Sequence, residues 1–372
     1  MTQRERLMAV FERQPKDALP CYVDVGFWAS VAKSENDPRL PEKYANLDWP
    51  YLDIYRDIGW GIRQDLINEP YTVAHNRVEV ERKHEKNAAG YVVKTETLWR
   101  TPGGTLHEMC EYSPDAHTWQ TREYAVKNPN DLDTLCIIHE DMEIAADCAH
   151  QTALIDRVGG QGVVSSRPQR STPFSRLMTQ WLGMENACYA VYDYPDKLAR
   201  AIGAMSESDD PIYDIIGEAP APLVIFDDNI TGELVSPVIF ERYYAPYYRK
   251  RARQLHAMGK YIYVHVDGKF RDILPLMAGT EVDCAQAITP APVCDVPVEE
   301  LRALAGPDLV IWGGIPAVFL SRIYPEHVFH EAARACVELY RDDPRFVIGV
   351  EDQVPPDADI ARLDFVRDLI DG

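Results

Sequence analysis

His265, Asp267 and Gly268, in the stretch YIYVHVDGKF, have the types and spacing of a chemical site. Residues two apart in an extended chain project to the same side. An imidazole and a carboxylate should therefore share one space, beside a glycine that lets another group approach the backbone. Such a pair reads as metal ligands, as a catalytic couple, or as an ordinary strand end. Other apolar runs end in the same way. Asp227, Asp228 and Asn229 follow LVIF, Gln286 lies in a weaker run, and Glu351, Asp352 and Gln353 follow FVIGV. Any single acidic residue here reads equally well as a helix cap or a loop bond. Four successive runs with metal- or proton-competent ends do not reduce to capping. His265 would itself read as a core histidine without Asp267 and Gly268 beside it.

Bringing these residues together requires elements whose ends meet. From residue 223 onward, short apolar runs alternate with helical patterns at βα spacing, which implies a parallel sheet. LVIF and FVIGV are continuously apolar, as strands buried on both faces are. A helix opens at Ser236-Pro237, runs to Gly259, and should kink at Pro246. No glycine-rich dinucleotide loop is present. The expected fold is α/β, a closed (β/α)8 TIM barrel over residues 1–372, with an open doubly wound sheet as the alternative. In a barrel, every polar strand end named above converges on the C-terminal face. Thr2 and Glu5 form a capping box that opens an N-terminal helix, and LPCYVDVG reads as the first strand.

Residues 71–124 differ. They alternate polar and apolar residues between the turn signals NAAG and TPGG, and predict an inserted antiparallel β-meander near the N-terminus. Val78, Val80, Val92, Leu98 and Leu106 form its expected apolar face. That face should pack on the barrel or on a twin subunit in a homodimer. A lid or docking element at the C-terminal rim is one role for it, and a structural elaboration at the far end is the other.

The chain has 372 residues, 46% of them hydrophobic, enough for a large core. Its net charge of −21 argues against nucleic acid and anionic membrane surfaces as partners. No apolar run is long enough to span a membrane, and MTQRERLMAVFERQ has no signal-peptide core. A cytoplasmic location is expected. Eight cysteines without a CxxC pair read as free thiols.

The PYYRKRARQLHAMGK helix, the strand ending HVDG, GGIP at residues 313–316 and EDQVPPDA at residues 351–358 together resemble the uroporphyrinogen decarboxylase superfamily, and its methyltransferase branch more than its decarboxylases. TQRERLMAVFERQPKDALP and WLGMENACYAVYDYPDKL extend the resemblance more weakly over the whole chain. The resemblance implies a (β/α)8 barrel. It also implies zinc on a His-x-Cys-Gly strand end and on a cysteine before the final Pro-Pro loop, where the ion activates a thiol acceptor. In this chain His265 matches the histidine, Asp267 stands at the first cysteine position, and Asp352, with Glu351 beside it, stands at the second. The decarboxylases' arginine-bearing loop after the first strand is here VDVGFWASVAKS, acidic and aromatic.

Replacing sulfur by oxygen makes a zinc site harder and a stronger Lewis acid. That suits an oxygen-bearing substrate. The implied reaction is O-demethylation of a methoxylated small molecule, with transfer of the methyl group to a corrinoid (cobalamin) on a partner protein. Asp227, Asp228 and Asn229 are the candidate catalytic residues. His265, Asp267, Glu351 and Asp352 are the candidate metal ligands. Tyr22, Phe27, Trp28, Trp60 and Gln286 are the candidate substrate wall, the aromatics having core or rim packing as their other reading. The competing functions are a decarboxylase or other lyase acting on a small carboxylated substrate, with Asp227 or Asp267 protonating a carbanion, and a non-enzymatic binding barrel.

Overall fold

A computed structural model describes residues 1–35, 37, 40–64, 69–169, 171–350 and 352–372. The chain forms two compact units, one of Met1–Pro70, Cys148–Arg167 and Ile216–Gly372, the other of Tyr71–Asp147 and Pro168–Ile215.

The first unit holds eight parallel strands: β1 (Cys21–Tyr22), β2 (Ile62–Gln64), β3 (Gly162–Ser166), β4 (Leu223–Ile230), β5 (Tyr261–Val266), β6 (Cys284–Ile288), β7 (Val310–Ile315) and β8 (Phe346–Val350). Each pairs with its chain neighbour from β2 to β8, and β8 pairs with β1. A parallel bridge between Tyr22 and Gly61 closes the ring, with the Gly61 N–H donating to the Cys21 carbonyl at 2.7 Å. This is the expected (β/α)8 barrel.

Its bore is filled by side chains. Tyr22, Val163, Leu223, Ile225, Tyr263, Cys284, Val310, Trp312 and Val347 form one buried cluster. Each of the larger ones contributes about 1.5–3 kcal/mol by leaving water. Leu7, Val10 and Phe11 join the same cluster from the N-terminal helix Gln3–Phe11. That helix carries the expected Thr2–Glu5 capping box. It plugs the end of the bore where the strands begin, so a ligand of the bore enters from the C-terminal mouth.

Side-chain alternation sorts the strand residues. Leu223 and Ile225 face the bore, whereas Phe226 faces outward and stacks on Tyr248, ring centroids 5.3 Å apart. Two irregularities interrupt the ladders near the mouth. The β4–β5 register shifts between Phe226 and Ile230, with Asn229 at φ +46°. The β6–β7 register shifts between Gln286 and Ile288, with Ala287 at φ +65°. Bulges of this kind re-aim side chains and recur next to active sites. The second also explains Gly313 on β7: at φ +152°, a Cβ there would lie 2.2 Å from the Ile288 carbonyl oxygen. The helix expected from Ser236 forms in three pieces, with a π-helical turn at Phe240–Tyr244 before Ala245–Ala257. The turn absorbs the hydrogen bond that Pro246 cannot make.

The second unit contains the antiparallel meander, strands Glu79–Lys86, Val92–Thr101, Gly104–Ser113 and Thr118–Glu123 in that order. Tyr71–His75 does not join it. That strand pairs instead with Met142–Ala146, which the sequence reading did not anticipate. One of the five expected apolar residues also falls on the other face. Val80, Trp99 and Leu106 are mutual cross-strand neighbours, whereas Leu98 stands opposite Glu81 and His107. The bulge at Glu85/Lys86 sets Val92 in pair with Lys86, which alternates onto the face of Val80. Trp99 packs on Trp181, with centroids 5.2 Å apart.

All eight cysteines are free. Among the described residues, no helix is long and apolar enough to cross a membrane.

Candidate functional site

The β5 and β6 strands set the centre of the site. His265 pairs in register with Gln286, and both face the bore because they are two residues beyond Tyr263 and Cys284. His265 Nδ1 meets Gln286 Oε1 at 2.7 Å, and both residues are buried. An amide oxygen only accepts, so Nδ1–H is the donor in this pair, and the neutral ring in this tautomer carries its lone pair on Nε2. Asp352, two residues past the end of β8, brings Oδ1 to 3.6 Å from that Nε2. This is too long for a hydrogen bond. It is close to the roughly 3.3 Å that separates two ligands bonded at about 2.0–2.1 Å to one tetrahedral zinc ion. The pair therefore fits two positions of such a site.

Asp267 lies one residue beyond β5, where the strand alternation has ended, and is exposed. It shares with Asp352 a cavity of about 290 Å³ that Phe27, Gln353, Pro355 and Pro356 also line. Glu351 lies outside the described residues. Among those described, no three His, Cys, Asp or Glu side chains are grouped closely enough to hold a metal ion.

The β4 residues separate by face. Asp227 points to the mouth and forms an ion pair with Arg167, which follows β3. Asp228 does not serve the site. It points outward, is 4% exposed, and accepts the Tyr248 hydroxyl at 2.6 Å. The outward face of a barrel strand packs on helices, and Asp228 is the polar anchor of that packing. Asn229 is exposed in the bulge.

The candidate aromatic wall is mostly core. The Tyr22 hydroxyl donates to the Gln3 carbonyl at 2.9 Å, which ties it to the plugging helix. Trp60 is fully buried, and its indole N–H donates to the Leu363 carbonyl at 3.2 Å. Trp28 is 4% exposed. None of these three has a face left for a substrate. Phe27 does line the mouth, in the cavity with Asp352 and in a second one of about 250 Å³ with Tyr51, Tyr55, Arg63, Gln64 and Gln353.

The sequence reading missed Arg63 and Arg167. Both sit on or just after very short strands, IRQ and GVVSS. A cation directly after a β-branched run opened by glycine was the available signal for Arg167.

The fold has relatives among known proteins. A solved methyltransferase from Methanosarcina mazei superposes with a TM-score of 0.61 at 12% identity, covering 100% of this chain and 98% of that one. An octameric ribulose-1,5-bisphosphate carboxylase/oxygenase from Pyrococcus horikoshii OT3 is 11% identical over 56% of this chain and 51% of its own, with a TM-score of 0.28, too slight to argue from. No curated protein sequence matches the chain. The family model described as Uroporphyrinogen decarboxylase (URO-D) matches residues 171–372, more than half of the chain. A closed barrel with its polar strand ends gathered at one mouth, and a family match over its larger part, place the chain in the uroporphyrinogen decarboxylase family.

Proposed function

We propose that this protein is a metal-dependent methyltransferase that removes the methyl group from a methoxylated small molecule and passes it to a corrinoid on a partner protein. One observation carries the reading: His265 Nε2, aimed by Gln286, faces Asp352 Oδ1 at 3.6 Å across the mouth. The Methanosarcina mazei protein that shares this fold is a methyltransferase, which agrees with it. Zinc is the ion the donor set favours; His265 and Asp352 would hold it, and Asp267, which lines the same cavity as Asp352 but is not grouped with the pair, would have to swing in as the third ligand. It would supply Lewis-acid polarisation of the substrate's ether oxygen.

The chain's own residues do the rest. Gln286 fixes the imidazole tautomer, as an acceptor on a ligand's second nitrogen does in metal sites. Phe27 and Gln353 border the space beside Asp352 and Asp267 and orient the substrate there. The C–O bond breaks with its electron pair left on oxygen, and the incoming nucleophile supplies the pair for the new bond to carbon. Asp227, engaged by Arg167, orients rather than donates a proton. That pairing weighs against Asp227 as the acid of the lyase alternative and leaves Asp267 as its other candidate.

The test combines elemental analysis with turnover. Purified protein should hold one equivalent of zinc and release demethylated product from a methoxylated aromatic in the presence of reduced cobalamin. His265→Ala should lose both. Metal-free protein that never demethylates, even after zinc addition, would refute the reading.

A further inference from the structure

A cavity of about 420 Å³ lies at the end of the barrel where the strands begin, away from His265 and Asp352. Its size is within the roughly 300–1,000 Å³ of small-molecule sites. Leu19 precedes β1 and Pro344 precedes β8, and both line it. The helices Glu326–Tyr340 and Arg362–Asp371 add Val337 and Ile370. Leu19, Val337 and Ile370 are buried and make an apolar floor.

Two cations, Lys16 and Arg341, line the same space. Both bond carbonyls rather than carboxylates. Lys16 Nζ donates to the Asp343 carbonyl at 2.8 Å, and Arg341 Nη2 to the Leu369 carbonyl at 2.6 Å. Among the described residues neither forms an ion pair, although the chain has 59 acidic residues against 38 basic ones. The nearby acids are engaged elsewhere or face water. Asp17 accepts from Arg6 at 2.7 and 3.2 Å, and Asp343 accepts from Arg302 at 2.8 Å. Asp342 is exposed, where solvent and salt screen it. Burial holds the Lys16 ammonium below the usual lysine range, although Asp343 and Asp342 act to raise it. An ammonium has three donors and a guanidinium five, so most of the donors of this pair have no partner among the described residues.

We infer that this cavity binds a small organic phosphate, with its phosphate group on Lys16 and Arg341 and its apolar body on Leu19, Val337 and Ile370. A phosphate offers three acceptor oxygens and a charge of roughly −1.5 to −2 at neutral pH. That suits a point cation and a planar fork together better than the two oxygens of a carboxylate do. The site is at the opposite end of the barrel from the mouth, so its ligand is not the reactant. The inference stands apart from the proposed reaction.

The test is a binding measurement without turnover. Calorimetric titration compares phenyl phosphate, inorganic phosphate and neutral benzyl alcohol on the wild type, Lys16→Gln, Arg341→Gln and Arg341→Lys. Phenyl phosphate should bind the wild type, inorganic phosphate more weakly for want of a body, and benzyl alcohol not at all. Hydrogen bonds to a charged group predict that each glutamine variant loses about tenfold or more in affinity for phenyl phosphate. Arg341→Lys should keep part of it. The wild type also reports its own site: saturating phenyl phosphate should protect Lys16 from acetylation by acetic anhydride, read by peptide mass spectrometry, and leave Lys83 of the second unit unprotected. That measurement decides alone if a variant fails to fold. The inference is overturned if phenyl phosphate does not bind, if inorganic phosphate or benzyl alcohol binds as tightly, if both glutamine variants titrate as the wild type does, or if Lys16 is not protected.

Discussion

Replacing Gln286 by leucine tests the centre of the site directly. The substitution nearly conserves volume but removes the acceptor 2.7 Å from His265 Nδ1. His265 is 4% exposed and Gln286 3%, so water does not substitute readily. An orphaned buried N–H costs about 1–3 kcal/mol, and the fold should lose that much stability. The metal effect is separate. Losing the partner of a ligand's second nitrogen lowers affinity roughly 10–100-fold, equivalent to about 1.4–2.7 kcal/mol. Urea denaturation reads the first quantity, and zinc titration of the chelator-treated protein reads the second. Gln286→Glu retains an acceptor oxygen at the same reach and should bind zinc more tightly than the leucine variant. If the leucine variant loses stability but binds zinc as the wild type does, His265 is a structural residue and the metal reading fails.

Two further outcomes follow from the packing. Gly313→Ala forces a Cβ to 2.2 Å from the Ile288 carbonyl oxygen at a φ of +152°. Backbone cannot rotate away as a side chain does, so a loss of about 3 kcal/mol or more is expected in chemical denaturation; a loss below about 1 kcal/mol would show that the β6 bulge relaxes freely. In the second unit, burial and then the charge of Arg176 hold the His139 imidazole well below its usual range. The folded state keeps it neutral while the unfolded chain takes up a proton below about pH 6.5. The unfolded state then binds more protons, so stability should fall as pH drops from about 6.5. Denaturation followed through Trp181, 5.9 Å from the His139 ring, should show this slope between pH 7.5 and 5.5. His139→Gln should flatten it, and an unchanged slope would remove His139 as the cause.

The barrel was legible wherever strands ended in polar residues after apolar runs. From residue 223 onward every expected strand is present, because burial on both faces leaves an unbroken apolar signature. The two short strands Ile62–Gln64 and Gly162–Ser166 were not legible, since their pairing comes from neighbours rather than from their own pattern. Spacing brought His265 and Gln286 into view but not their hydrogen bond, which depends on register across two strands. Asp227 and Asp228 looked equivalent as adjacent acids. Strand alternation gives one to the mouth and the other to Tyr248, and only the phase of the strand decides which. The aromatics in and after the first strand carried no sign of their direction. Tyr22, Trp28 and Trp60 went to the core, and Phe27 to the mouth.

The N-terminal helix Gln3–Phe11 makes the barrel a blind tube, because Leu7, Val10 and Phe11 close its floor. Whatever enters must leave by the door it came in. On the proposed reading, a reactant seated beside Asp352 would lie between the floor and any larger acceptor at the entrance, so the small molecule would board first and disembark last. A demethylated product would then have no way to drain off behind its replacement. Turnover in such a vessel would be set by queueing at a single gate, and a bulky acceptor lingering there would slow it however fast the bond breaks.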